Sequence, residues 1–315
     1  MSKAWLVHLL VGAALLSACA GNQRLPAGVG PAPLESSPSI SSANPAPTDT
    51  TTPDAVTGDT VDTSDPAPTD SSPVEPDAAA VAPGCAAFSV PTGSTEIAGE
   101  RCDPDPLFAG PRPAVLVLNG CGGYLADAEI GRDLATALTR EGIVAIRIDY
   151  LGAAPDVAFC DLTPDGLSEV AQPILEAVAD TVAVVRLDPN ISSIGAVGYS
   201  LGAATAMSAV FGGAGLATIE PVPFSAVALL SYPNVIPGVT DGIAAGLGPP
   251  LFVMSGEDDD VAPPADSTAI VETALAAGNA VEQLLVPGQG HSWTGPAASL
   301  AAATLADELA DRLLG

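Results

Sequence analysis

The chain is short of positive charge. Lysine occurs once, at Lys3, and lysine and arginine together number nine against 37 aspartates and glutamates, a formal net charge of −28. A basic footprint for nucleic acid is therefore absent, and attraction to anionic lipid headgroups is not expected. Histidine occurs twice, at His8 and His291, and aromatic residues make up only 4%. One histidine beyond the N-terminal stretch, with cysteines not spaced as zinc ligands, gives no basis for a metal centre. After residue 18 no run is long and apolar enough to span a membrane.

What is present falls into three parts. Residues 1–18 read as a targeting segment: Lys3 gives a positive start, and Ala4 to Ala18 is apolar but too short for a permanent span. The segment ends Leu16-Ser17-Ala18-Cys19, which resembles the bacterial lipobox. That resemblance implies lipidation of Cys19, which becomes the new first residue and tethers the protein to the cell envelope. The alternative is an ordinary secretory signal cut near Ala18 or Ala20, giving a secreted protein. Residues 19–83 are rich in Pro, Ser, Thr, Ala and Asp and hold no aromatic residue. Such a segment cannot bury enough apolar surface to offset chain entropy and reads as an extended linker. Residues 84–315 read as one globular domain, ample for a single core.

Cys85, Cys102, Cys121 and Cys160 lie in that domain. An even number in an exported domain suggests two disulfides, and four cysteines allow three pairings. Cys85–Cys102 is favoured because it closes a hairpin around Phe88 to Arg101; free buried thiols are the alternative.

From Pro113 onward, apolar runs alternate with helical patterns. Strands are expected at Ala114–Leu118, Ile143–Ile148, Ile194–Val197, Ser225–Leu230, Leu251–Met254 and Val281–Val286. Helices are expected at Asp127–Glu141, Leu167–Arg186, Ala203–Phe211, Thr268–Ala277 and Ala297–Leu314, with Pro173 restricting where the second of these begins. The alternation predicts an α/β fold with a mostly parallel central sheet and helices on both faces.

The chemistry centres on Gly198-Tyr199-Ser200-Leu201-Gly202, a G-x-S-x-G motif between a strand and a helix. A sharp turn there lifts the serine hydroxyl clear of the sheet. The following helix N-terminus presents free N–H groups. Downstream, Asp258-Asp259-Asp260 follows one strand, and any of the three could be the partner acid. The triplet lacks the alternating spacing of a calcium loop. His291 follows the last strand, in a glycine-rich loop. A lone histidine is more often structural, but this one comes after both a serine turn and an acid loop. The turn Asn119-Gly120-Cys121-Gly122-Gly123 can offer one oxyanion donor, the Cys121 amide, with Gly122 as the alternative; the Leu201 amide would be the second.

Together these stretches resemble the α/β-hydrolase superfamily, closest to its dienelactone hydrolase-like branch. The carriers are Leu118 to Gly123, Asp149-Tyr150-Leu151-Gly152, Gly198 to Gly202, Gly256 to Pro263, and Gly288-Gln289-Gly290-His291. The family's G-x-x-D-x-x-x-P pattern places the acid at Asp259, and the chain order Ser200, Asp259, His291 is that of the family's triad. The resemblance implies a carboxylic-ester hydrolase working through an acyl-enzyme without a cofactor. The expected substrate is a small or polymeric ester and the expected state a monomer. The serine, where dienelactone hydrolases have cysteine, argues against dienelactone. Asn119-Gly120 stands where many members have His-Gly. In the family's strand order the strands ending at Leu118 and Ile148 are neighbours, which implies a Cys121–Cys160 disulfide across the rim. Thioester hydrolysis, acyl transfer and polyester cleavage would use the same triad. A catalytically silent binding module on this fold is the rival from another class.

Overall fold

The computed structural model describes residues 84–93, 95–212, 220–236, 238–246 and 248–315. The expected signal segment, Cys19 and the linker lie outside the described residues.

The chain opens with a hairpin, β1 (Cys85–Thr92) and β2 (Thr95–Cys102). Its register sets Cys85 opposite Cys102, and the two are disulfide-bonded. Alternation follows: β3 (Arg112–Leu118), the short α1 (Gly123–Ala126), α2 (Ala128–Arg140), β4 (Val144–Ile148), α3 (Pro164–Val185), β5 (Ile191–Tyr199) and α4 (Leu201–Phe211). Then come β6 (Val227–Leu230), α5 (Val239–Ala245), β7 (Leu251–Gly256), α6 (Pro264–Ala276), β8 (Val281–Val286) and α7 (Pro296–Leu314). Two 3-10 turns, Tyr150–Ala153 and Phe159–Asp161, lie between β4 and α3. All eight strands form one sheet in the order β1-β2-β4-β3-β5-β6-β7-β8. The β1–β2 and β2–β4 pairs are antiparallel and the rest parallel.

Each sheet face carries its own core. On one, Leu116, Ile146 and Leu229 meet Ile174 and Val178 of α3 and Met207 of α4. On the other, Val115, Ala145 and Phe252 meet Leu134 and Leu138 of α2 and Leu305 and Leu309 of α7. Neighbouring residues of one strand therefore serve opposite cores, which is why the central strands read as unbroken apolar runs. Helix α4 is buried from Leu201 through Val210, and its small residues let it sit close on the sheet.

Several elements extend past their expected limits. Helix α3 begins at Pro164 rather than Leu167, capped by the Thr163 hydroxyl, which accepts from the Gly166 amide at 3.3 Å. Pro173 lies inside it, and the Glu169 carbonyl that loses its donor is on the exposed side, where water can satisfy it. Strand β5 runs three residues further at its start because Arg112 and Pro113 of β3 pair with Ile191 and Ser193. Helix α5 has no counterpart in the sequence expectations.

One buried ion pair ties the hairpin to the parallel sheet. Arg147 on β4 bonds Glu100 on β2, both almost fully buried, and the guanidinium lies over the Tyr124 ring at 4.5 Å. Arg147→Met would leave the Glu100 carboxylate buried without its cation, so a loss of about 3–5 kcal/mol is expected in urea unfolding. A Glu100→Leu, Arg147→Met double variant should recover most of that loss. A double variant no more stable than the single would show that the pair's charges are not what the single change disturbs.

Candidate active site

Because β3, β5, β6, β7 and β8 run parallel, their C-terminal ends share one rim. Ser200 follows β5, with φ 52° and ψ −120°, a strained conformation for a residue with a side chain. Two backbone approaches impose the strain. A Cβ on Gly198 would sit 2.3 Å from the Gly202 carbonyl oxygen, and one on Gly202 would sit 2.1 Å from the Leu118 oxygen. Only glycine fits at either end, so strand and helix close to a distance at which the intervening serine has to project outward.

The acid loop and the histidine loop are zipped together. The Glu257 amide donates to the Val286 carbonyl and the Asp258 amide to the Gln289 carbonyl, both at 3.0 Å. Gly256 permits the approach, since a Cβ there would lie 2.0 Å from the Gln289 oxygen. Among the described residues, Asp259 is the one of the three candidate acids that pairs with the histidine: His291 Nδ1 lies 3.0 Å from both of its carboxylate oxygens. Burial agrees: Asp259 is 3% exposed, whereas Asp258 and Asp260 lie at the surface. The amides of Val261 and Ala262 also donate to Asp259 Oδ1, at 3.1 and 2.7 Å, fixing its orientation. On the other side of the ring, His291 Nε2 is 3.0 Å from Ser200 Oγ. A carboxylate can only accept, so Nδ1 carries the proton and Nε2 is free to accept from the serine hydroxyl.

Three contacts that sequence reasoning missed hold the histidine in place. The Tyr199 hydroxyl donates to the His291 carbonyl at 3.0 Å, and the two rings lie 5.5 Å apart. Burial pushes the Tyr199 phenol above its usual range, so it stays a donor throughout the working pH range. Trp293 Nε1 donates to Ser231 Oγ at 3.0 Å, anchoring the far side of the loop to the end of β6. The Gln289 side chain donates to the carbonyls of Gly290 and Ser292. Tyr199 sits inside the serine motif and could have been suspected there. Ser231 and Trp293 are far apart in sequence and gave no signal.

The turn after β3 lies against the serine. A Cβ on Gly120 would come within 3.2 Å of Ser200 Cβ. Among the described residues the amides of Cys121 and Leu201 have no backbone hydrogen-bond acceptor, as a pair of donors held for a substrate oxygen requires. The Tyr150 hydroxyl donates to the Asn119 carbonyl at 2.7 Å, and Cys121 is disulfide-bonded to Cys160 in the second 3-10 turn. The Asp127 carboxylate faces the same turn, and burial raises its pKa. Residues 213–219, between α4 and β6, lie outside the described residues.

No protein-family model matches the chain, and no curated protein sequence does. Solved structures do. Est1E from Butyrivibrio proteoclasticus matches with a TM-score of 0.53 at 13% identity, over 72% of this chain and 98% of that one. A dienelactone hydrolase from Anabaena variabilis matches at 0.53 and 19%, over 73% and 98%. The acylaminoacyl peptidase of Pyrococcus horikoshii matches at 0.55 and 14%, over 73% of this chain and 41% of that one. The chain has the α/β-hydrolase fold.

The geometry separates the three acids. Asp259→Asn should slow phosphonylation of Ser200 by a fluorophosphonate about 10³- to 10⁴-fold, because the amide no longer holds the ring in the productive tautomer. Asp258→Asn and Asp260→Asn should stay within about twofold. A large loss in either of the latter, with Asp259→Asn near normal, would reassign the acid.

Proposed function

We propose that this chain is an extracytoplasmic serine hydrolase that cleaves carboxylic esters through an acyl-enzyme. The observation that carries the reading is the unbroken relay from Asp259 through His291 to Ser200 Oγ, on a serine held at positive φ. The esterase and dienelactone hydrolase neighbours support it at the level of fold.

In this reading His291 Nε2 takes the Ser200 proton as Oγ attacks the ester carbonyl. The Cys121 and Leu201 amides receive the oxyanion, with the dipole of α4 behind the second. Asp259 stabilises the imidazolium without taking its proton. The imidazolium then protonates the leaving alkoxide, and the acyl group stays on Ser200. Water enters, gives a proton to His291, and releases the carboxylic acid while Oγ regains its hydrogen. Every proton has a protein donor or acceptor, so no cofactor is called for. The substrate we favour is a small ester.

The two disulfides point to an oxidising compartment. Among the described residues no helix is long and apolar enough to cross a membrane. We place the protein outside the cytoplasm, with lipid at Cys19 as its tether.

The test is Ser200→Ala in the mature protein. Hydrolysis of 4-nitrophenyl esters from acetate to octanoate should fall at least 10⁴-fold, with an unchanged unfolding midpoint. Mass spectrometry should find the fluorophosphonate adduct on Ser200 of the wild type and on no residue of the variant. Ester turnover retained by Ser200→Ala would exclude the acyl-enzyme mechanism.

A further inference from the structure

We infer that the Cys121–Cys160 disulfide sets the oxyanion turn, so that opening it lowers turnover while the triad and the fold stay in place. The inference rests on the proposed ester hydrolysis and assigns Cys160 as a positioning residue for it.

The turn has little of its own to hold it. Three of its five residues, Gly120, Gly122 and Gly123, have no side chain. Its internal bonds both end on one carbonyl, that of Gly120, which accepts from the Gly123 amide and from Asn119 Nδ2, each at 3.1 Å. Its first residue is fixed from outside, by the Tyr150 hydroxyl on the Asn119 carbonyl and by the packing of Leu118 and Asn119 against Gly202. The two bonds on the Gly120 carbonyl orient the peptide that also carries the Cys121 amide, but both come from within the turn, so they tie that peptide to the turn and not to the sheet. Two links from outside reach this part of the turn: the Asp127 carboxylate, which faces Gly120, and the side chain of Cys121, which is covalently bonded to Cys160. Cys160 in turn is held by its neighbour Phe159, whose ring is buried in the core with Leu151 and Leu167. A covalent path thus runs from the hydrophobic core to one of the two amides proposed to receive the oxyanion.

The triad does not share this path. Ser200 is held by Gly198 and Gly202, and His291 by Asp259, Tyr199 and the loop around Trp293. Loss of the crosslink therefore acts on the oxyanion and not on the nucleophile's activation. The two disulfides also differ in access. Cys160 is exposed and Cys121 partly so, whereas Cys102 is 3% exposed behind its strand partner. A dithiol reaches the first more readily, delivering two electrons and two protons to Cys121 and Cys160 and becoming a cyclic disulfide.

The test compares two double variants of the mature protein with the wild type on 4-nitrophenyl butyrate. In Cys121→Ser with Cys160→Ser, kcat should fall about tenfold or more and KM should move less than about threefold, short of the full loss of one donor. In Cys85→Ser with Cys102→Ser, kcat should stay within about twofold, since that crosslink lies in the β1–β2 hairpin. A Cys121/Cys160 variant with kcat within twofold of wild type overturns the inference, as does a parallel loss in both variants. Should the first variant fail to fold, brief dithiothreitol treatment of the wild type replaces it, with alkylation mapped by mass spectrometry. Turnover lost in step with Cys160 alkylation and restored on reoxidation supports the inference; full turnover with Cys160 alkylated overturns it. A wild type inactive on every ester overturns the functional reading itself and is told apart by that fact.

Discussion

The constraint on which the rest of the structure depends is the packing of the first turn of α4 against β5 and the end of β3 around Ser200. Backbone meets backbone at Gly198 and Gly202 at distances that leave no room for a methyl group. The all-buried, alanine-rich surface of α4 exists to allow that approach, and the strain at Ser200 results from it. Strain of this kind persists only where the surroundings over-determine it, and here two cores, one on each side of the sheet, do so.

From that point outward the rim is assembled in pairs of loops. The turn after β3 leans on the first turn of α4, and the acid loop leans on the histidine loop through backbone bonds. Glycine marks both contacts: Gly202 under Leu118, Gly256 under Gln289. The side chains that would do chemistry are therefore aligned by main chain, and only their final orientation depends on Tyr199, Trp293 and the Val261 and Ala262 amides.

Much of this was legible in the sequence, for identifiable reasons. The central parallel strands announced themselves because both faces of each are buried, and the serine turn because its glycines are sterically obligatory. From the residues alone the acid was legible only as one of three adjacent aspartates, and it was the resemblance to the family pattern that singled out Asp259. Asp258, Asp259 and Asp260 are chemically identical, and what distinguishes them is the direction each takes from a tight turn whose amides fold back on Asp259. Helix α5 was hidden by Gly242, which reads as a breaker but is required because a Cβ there would lie 2.0 Å from the Phe211 oxygen. The Trp293–Ser231 bond was illegible for a different reason: it joins residues 62 apart through tertiary packing alone.

The hairpin at the start of the described domain carries one more implication. Its first pair is Cys85 opposite Cys102, the pair nearest the preceding chain, and it is covalent. A pull applied through residue 84 would act on an edge strand, where hydrogen bonds yield one at a time, beginning with the outermost. Here the outermost link is a sulfur–sulfur bond to β2, and β2 is stitched to β4 by both its ladder and the Glu100–Arg147 pair. Mechanical load would bypass the ladder of β1 and spread into the sheet, so drag on the N-terminal segment would not peel the domain open from that edge.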